Sequence, residues 1–166
     1  MTSTLSSQST NPVENQAIYN DLMTIAVFAG AHRVSVLSTP LPTVVGSSAF
    51  LNISNLTTVN LPNVTSIATY VFGFCSSLSS ISLPSVTIIG NSAFFGCTKL
   101  MSIYLLGSSS CALASNARTV FSNTPILNST LTGSYGSVYV PGSLYDKYTR
   151  GANSYWYSIS ARIVSM

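Results

Sequence analysis

The sequence predicts a repeat solenoid of the α/β type, mostly β, built from 22-residue units. Three observations lead to this prediction. Apolar residues recur every 22 positions, each unit contains a stretch in which apolar and polar residues alternate, and only 5% of the 166 residues are charged. Ser and Thr fill more than a quarter of the positions instead, whereas helical bundles usually carry Glu and Lys on their exposed faces. Stacked coils with hydroxyl-covered surfaces explain all three.

The 22-residue period is visible as columns of equivalent apolar residues. Projected back by one period from Leu56, Val34 begins a degraded earlier copy. No single unit can bury its apolar side alone, so neighbouring units must stack and complete one another's core. The columns are Phe50, Phe72 and Phe94; Leu56, Leu78 and Leu100; Val59, Ile81 and Ile103; Leu61, Leu83 and Leu105; and Val45, Ile67 and Ile89.

One unit, "ISLPSVTIIGNSAFFGC" at 81–97, shows how a coil is built. Ile81 and Leu83 alternate with serines, which predicts a short strand with one buried face. Pro84 ends the strand because it has no backbone N–H, and Gly90 permits a turn on the return path. Three further residues of this unit are predicted to pack inward before the next strand: Ala93, Phe94 and Cys97.

The consensus "L-x-x-I-x-L-P-x-V-x-x-I-G-x-x-A-F-x-x-C-x-x-L" resembles the BspA-like leucine-rich repeats of bacterial surface proteins. The resemblance covers about 34–141 and is clearest at 56–105. It implies a curved leucine-rich-repeat stack with a parallel sheet on its concave side, and a role in attachment and recognition. The chain departs from the pattern at Ala68, where the next unit has Gly90, and at Ile53, where later units have Cys.

Beyond Leu105 the period is interrupted, which predicts an insertion at about 106–136. The interval from Phe94 to Phe121 is longer than one period, but Phe121 is followed by Leu127 just as Phe94 is followed by Leu100, so a further coil persists around the insertion. Residues 137–141 are expected to form the last strand of the solenoid, which then spans 34–141. Residues 142–166 form a predicted C-terminal cap with a short helix, for which Ser143 and Asp146 make a capping box.

The N-terminal region is predicted to be a linker or tail at 1–10 followed by a helical junction or cap at 11–33, with a short helix over 12–26. The segment "STNPVENQAIYNDL" (9–22) resembles one found in tail-fibre and baseplate proteins of phages and prophages of Gram-positive hosts. That resemblance implies a junction between a shaft and a tip domain. Since fibres are usually trimers, it also implies a homotrimer assembled partly through the N-terminal region.

Catalytic, metal and cofactor sites are not expected. His32 is the single histidine, and the three acidic residues, Glu14, Asp21 and Asp146, lie before or after the repeats, so neither a hydrolase triad nor a carboxylate pair can form. Cys75 and Cys97 lie one period apart, which suits a disulfide or metal pair or two buried thiols. Zinc needs more ligands than these, and we favour buried thiols.

Nucleic-acid binding and membrane insertion are not expected either. The six basic residues are scattered, whereas nucleic acid needs a basic stripe. The most apolar stretch, residues 23–30, is too short to cross a bilayer. Residues 1–15 lack the basic start and apolar run of a secretory signal, so we expect an excerpt or release by another route, with a location in a virion tail or at a cell surface.

Two surfaces are candidates for binding. The aromatic group of "SYWYS" (154–158) with Tyr145 and Tyr148 suits a binding platform or a lid over the last coil, and we favour the lid. The outward side of the sheet suits a glycan or a flat protein surface, or is simply a solvated face. The predicted binding residues on that side are Thr58, Asn60, Ser80, Ser82, Ser102, Tyr104 and Tyr139.

Three functions follow as hypotheses. The first is a non-enzymatic extracellular recognition module, the receptor-binding tip region of a phage or prophage tail fibre that contacts a bacterial surface glycan or protein. The second is a bacterial surface adhesin that binds host protein or glycan. The third is a passive structural segment of a fibre.

Overall fold

The computed structural model describes residues 25–27, 33–36, 43–150 and 155–166. The described chain winds into stacked coils that contribute strands to two sheets. Among these residues, sheet A contains seven strands: β1 (Ile25–Val27), β2 (Arg33–Val36), β4 (Thr58–Asn60), β6 (Ser80–Ser82), β8 (Ser102–Tyr104), β10 (Ser137–Val140) and β11 (Ile163–Ser165). Sheet B contains four: β3 (Val44–Val45), β5 (Ser66–Ile67), β7 (Ile88–Ile89) and β9 (Ala112–Leu113). This arrangement confirms the predicted, mostly β repeat stack.

Helices are few and short in the described residues. They are α1 (Ala117–Val120), α2 (Tyr145–Thr149), 3₁₀ turns at Ser129–Leu131 and Gly142–Leu144, and a pair of 3₁₀ turns over Tyr155–Arg162 that meet at a kink.

Strand pairing in sheet A follows the sequence alternation. β1 pairs antiparallel with β2, and every later pairing is parallel, in the order β2-β4-β6-β8-β10-β11. In β6, buried Ile81 lies between two exposed serines, and its register partner in β8 is Ile103. Matched apolar residues therefore lie side by side on the inner face, and polar residues line the outer face.

The core contains a continuous column of phenylalanine rings. The rings of Phe50 and Phe72 stack at 5.4 Å, those of Phe72 and Phe94 at 5.5 Å, and those of Phe94 and Phe121 at 5.8 Å, with interplanar angles of 12–14°. All four side chains are fully buried. The prediction that these phenylalanine rings stack on one another is confirmed. Phe121, which follows Phe94 by more than one period, belongs to the same column.

The two cysteines one period apart are free and buried in the same core. The Cys75 thiol donates a hydrogen bond to the Phe50 carbonyl at 3.1 Å, and the Cys97 thiol donates to the Phe72 carbonyl at 3.0 Å. Burial raises the pKa of both thiols, that of Cys75 to about 12. Buried thiols, rather than a disulfide, are the correct interpretation.

The predicted beginning of the solenoid needs two corrections. Val34 pairs in register with Val59 and does not match Leu56, because the first coil is longer than the two 22-residue coils that follow it. A loop can accommodate additional residues without changing the register of the strands that it connects. Residues 12–24 of the predicted helix lie outside the described residues, but Ile25 and Ala26 lie in β1, where pairing with β2 extends the sheet.

The C-terminal region also differs from prediction. β10 pairs with β8 across the insertion, as expected, but it is not the last strand, because β11 pairs parallel with it and brings Ile163 beside Val138. The predicted Ser143–Asp146 capping box is wrong. Ser143 lies within a 3₁₀ turn, α2 has no side-chain cap, and Asp146 pairs instead with Arg150 at 3.1 Å.

Candidate functional site

The outer face of sheet A brings the seven predicted binding residues onto one surface. Alternation within each strand turns these side chains away from the core, and parallel register sets equivalent positions side by side. The residues of β4 and β6 are exposed, and those of β8 and β10 are half-buried. The residues are Thr58, Asn60, Ser80, Ser82, Ser102, Tyr104 and Tyr139.

Two tyrosines stack at one end of this face. Tyr104 pairs in register with Tyr139, and their rings lie 4.7 Å apart at an interplanar angle of 12°. The same row continues to Ser82 on one side and to Val164, which is 37% exposed, on the other. The stacked pair therefore forms an aromatic edge beside a row of small polar groups.

A cation–π contact at the start of β11 was not predicted from the sequence. The Arg162 guanidinium lies over the exposed Tyr135 ring, 3.5 Å from its centroid, which is a cation–π contact. Arg162 immediately precedes β11 and Tyr135 lies shortly before β10, so the β10–β11 pairing brings the two segments together. The missed signal was the short apolar run that begins at Ile163, which repeats the strand pattern around Val138.

The chemistry available on this face is polar and mostly uncharged. The outward positions of β4, β6, β8 and β10 carry only Ser, Thr, Asn and Tyr, which offer hydrogen bonds and ring faces. Within the described part of the chain, no group of three or more His, Cys, Asp or Glu residues is placed to hold a metal ion. His32, Glu14 and Asp21 lie outside the described residues.

A comparison with protein families is decisive for the identity of the repeats. The family described as BspA type leucine rich repeat region matches residues 26–139, in six copies. The chain belongs to this BspA-type family. No curated protein and no solved structure gives a significant match. The N-terminal segment that resembles tail-fibre proteins, residues 9–22, precedes the matched region, and its interpretation stays a prediction.

BspA-type repeats indicate a surface or adhesion type of repeat protein. In this member Trp156 and Tyr148 of the C-terminal aromatic group form a lid over the last ring of the core column, whereas Tyr155 and Tyr157 are 52% and 55% exposed. The Trp156 ring contacts Phe121 at 5.8 Å and Tyr148 at 5.5 Å. Trp156 is 2% exposed and Tyr148 is 1% exposed, so neither ring face is available as a binding platform.

The lid also provides hydrogen-bond partners for backbone groups at the free edge of sheet B. The Trp156 indole Nε1 donates to the Cys111 carbonyl at 2.7 Å, and the Cys111 N–H donates to the Tyr148 hydroxyl at 2.7 Å. Cys111 directly precedes β9, so these aromatic side chains take the place of a further strand. Burial raises the pKa of Tyr148 to about 12.

No helix within the described ranges has the length and apolar character needed to cross a membrane.

Proposed function

We propose that this BspA-type chain is a non-enzymatic recognition module that attaches its parent particle or cell to a bacterial surface through the outer face of sheet A. A bacterial surface glycan or protein is the proposed ligand. The polar side chains of β4 and β6 would supply hydrogen bonds, and the stacked Tyr104–Tyr139 pair would supply a contact surface for apolar ligand groups.

The tyrosine pair is the observation that carries this proposal. Tyr104 and Tyr139 occupy the positions at which the previous strands carry Ser82 and Asn60, so the fold does not require an aromatic side chain in this row. Tyrosine combines a large, rigid apolar surface with a hydroxyl, which favours its use in recognition.

In its most specific form, the proposal places the chain at the receptor-binding tip of a phage or prophage tail fibre. The similarity of residues 9–22 to fibre segments supports this form. The alternative is a bacterial surface adhesin that binds host protein or glycan, and the BspA-type repeats support this alternative.

Binding of the fluorescently labelled full chain to candidate host bacteria, measured by flow cytometry, tests the proposal. The double variant Tyr104→Ser, Tyr139→Ser gives the row the residue type of Ser82 and should weaken binding by roughly tenfold or more. The matched control is Tyr157→Ser, which removes a tyrosine that is 55% exposed outside this face. The double variant Tyr104→Phe, Tyr139→Phe separates ring contact from hydroxyl hydrogen bonding.

The salt dependence of binding provides a second criterion. Because the outward positions of the four central strands are uncharged, affinity should change little between low and physiological ionic strength. A steep decrease would indicate electrostatic attachment and contradict the proposal. If the folded chain binds neither cells nor a glycan array, it acts as a passive structural segment instead.

A further inference from the structure

A second aromatic patch lies on the turns that follow sheet B. The rings of Tyr70 and Phe74 both contact Phe95 of the next coil edge-on, with centroids 6.1 Å and 5.0 Å away. Tyr70 is 38% exposed and Phe74 is 46% exposed, while Phe95 is half-buried. We call these three residues the turn patch.

The patch residues Tyr70 and Phe74 occupy left-handed backbone positions, with φ of 56° and 59°. Bulky residues avoid this region, which Gly and Asn adopt more easily. The neighbouring coils carry small residues at the same two positions and also have positive φ there: Ser48 and Ser92 correspond to Tyr70, and Asn52 and Gly96 correspond to Phe74.

The coil imposes this backbone conformation but not the aromatic side chains. The Phe74 N–H donates to the Phe95 carbonyl at 2.7 Å, and the equivalent Asn52 N–H donates to the Gly73 carbonyl at 2.8 Å. The same ladder of hydrogen bonds therefore forms with a small residue. The two aromatic side chains are placed where the fold disfavours them and where they reach solvent, which indicates a role in binding.

Gly96 has no side chain and so leaves room for the Phe74 ring. A Cβ added at Gly96 would lie 2.8 Å from Cδ1 of Phe74, so a larger residue there would displace the ring. The ring therefore lies directly over the backbone of the next coil at Gly96.

The size and charge of the turn patch restrict its ligand. An aromatic side chain presents about 200 Å², so the two exposed fractions amount to roughly 170 Å². A stable protein interface needs about 800 Å² on each partner, so a second copy or a protein partner does not fit the patch alone. Residues 43–98, which include the three patch residues, contain no charged residue, and the first charge after them is Lys99, so the patch itself has no group that would pair with an ionic ligand.

We propose that the turn patch binds a neutral glycan by stacking one face of a pyranose ring on Tyr70 and Phe74. The axial C–H bonds of a pyranose carry partial positive charge and suit the negative face of an aromatic ring. The exposed amides of Asn52 and Asn91 lie on the same turns and offer hydrogen bonds to sugar hydroxyls. This site is separate from the outer face of sheet A and does not depend on the function proposed for that face.

Saturation-transfer NMR of the full chain with simple sugars tests the proposal. The probes are the methyl pyranosides of glucose, galactose, mannose and N-acetylglucosamine, with sialic acid as the charged comparison. At least one neutral probe should receive saturation through its ring protons. The double variant Tyr70→Ser, Phe74→Asn should weaken that binding by roughly tenfold or more, and the control Tyr157→Ser should leave it unchanged.

Stability distinguishes a binding patch from a structural one. The double variant carries residues that the neighbouring coils already use, so relief of backbone strain should offset the ring contacts that are lost, and the melting temperature should change by no more than a few degrees. A marked decrease in melting temperature would show that the rings serve packing and would overturn the proposal. Failure of all neutral probes, or unchanged binding by the variant, would also overturn it.

Two further results are informative. If the native chain self-associates and the Tyr70→Ser, Phe74→Asn variant does not, the turn patch is an interface between copies, and the glycan proposal is overturned. The Tyr104→Ser, Tyr139→Ser variant separates the two proposed sites. If it no longer binds cells but still binds the neutral sugar, the sugar binds at the turn patch and not at the outer face of sheet A.

Discussion

Truncation of the central ring in the phenylalanine column is the most direct test of the fold. Phe72 is fully buried and stacks on Phe50 and Phe94 at 5.4 Å and 5.5 Å. Burying such a side chain contributes about 3 kcal/mol, and an unfilled cavity adds to the loss. The coils cannot easily close the gap, because hydrogen bonds of 2.8–2.9 Å hold Phe50 and Phe72 to their neighbouring coils. We therefore expect Phe72→Ala to lower the free energy of unfolding by about 4 kcal/mol.

Urea denaturation followed by circular dichroism measures this effect. With a slope of about 2 kcal/mol per molar urea, the midpoint should fall by about 2 M. Phe72→Leu keeps most of the volume and should cost less than about 1.5 kcal/mol. A loss below about 1 kcal/mol for Phe72→Ala, with an unchanged slope, would refute the stacked column as the main source of stability.

Two further predictions concern the thiols and the lid. Because burial raises the pKa of Cys75 and Cys111 to about 12 and also raises that of Cys97, Ellman's reagent at about pH 8 should leave the native chain unlabelled and modify all three cysteines in concentrated urea. Rapid labelling of the folded chain would contradict their burial. Trp156→Phe should lower stability by about 1–3 kcal/mol, because the Cys111 carbonyl loses its donor, whereas Tyr155→Phe at an exposed position should be neutral in the same urea assay.

The repeating part of the chain was predictable because local and long-range signals agree there. Alternation around Ile81 and Ile103 specifies a strand, and the constant interval specifies which strands lie side by side. The candidate face of sheet A follows from the same alternation, so Tyr104 and Tyr139 could be placed on it without a structure. Their stacking at 4.7 Å depends on the register between β8 and β10, which the long insertion between those strands obscured.

The turn patch was not predictable from the sequence pattern. Tyr70 and Phe74 interrupt positions that are otherwise Ser, Asn or Gly, but exposure of their rings depends on backbone dihedral angles that apolar periodicity does not report. The periodic columns predict which residues enter the core. They contain no information on which aromatic side chains stay outside it.

By itself, the sequence determined that this protein is a stack of coils with a phenylalanine column, two buried thiols and a polar sheet face. Only the tertiary structure decided that β2 aligns Val34 with Val59, that β11 adds a strand beyond β10, and that Trp156 closes the column. The physical reason is that periodic apolar residues encode their own neighbours, whereas an open strand edge offers the same backbone donors and acceptors to any segment that can reach it. Which segment reaches it is fixed by the path of the whole chain.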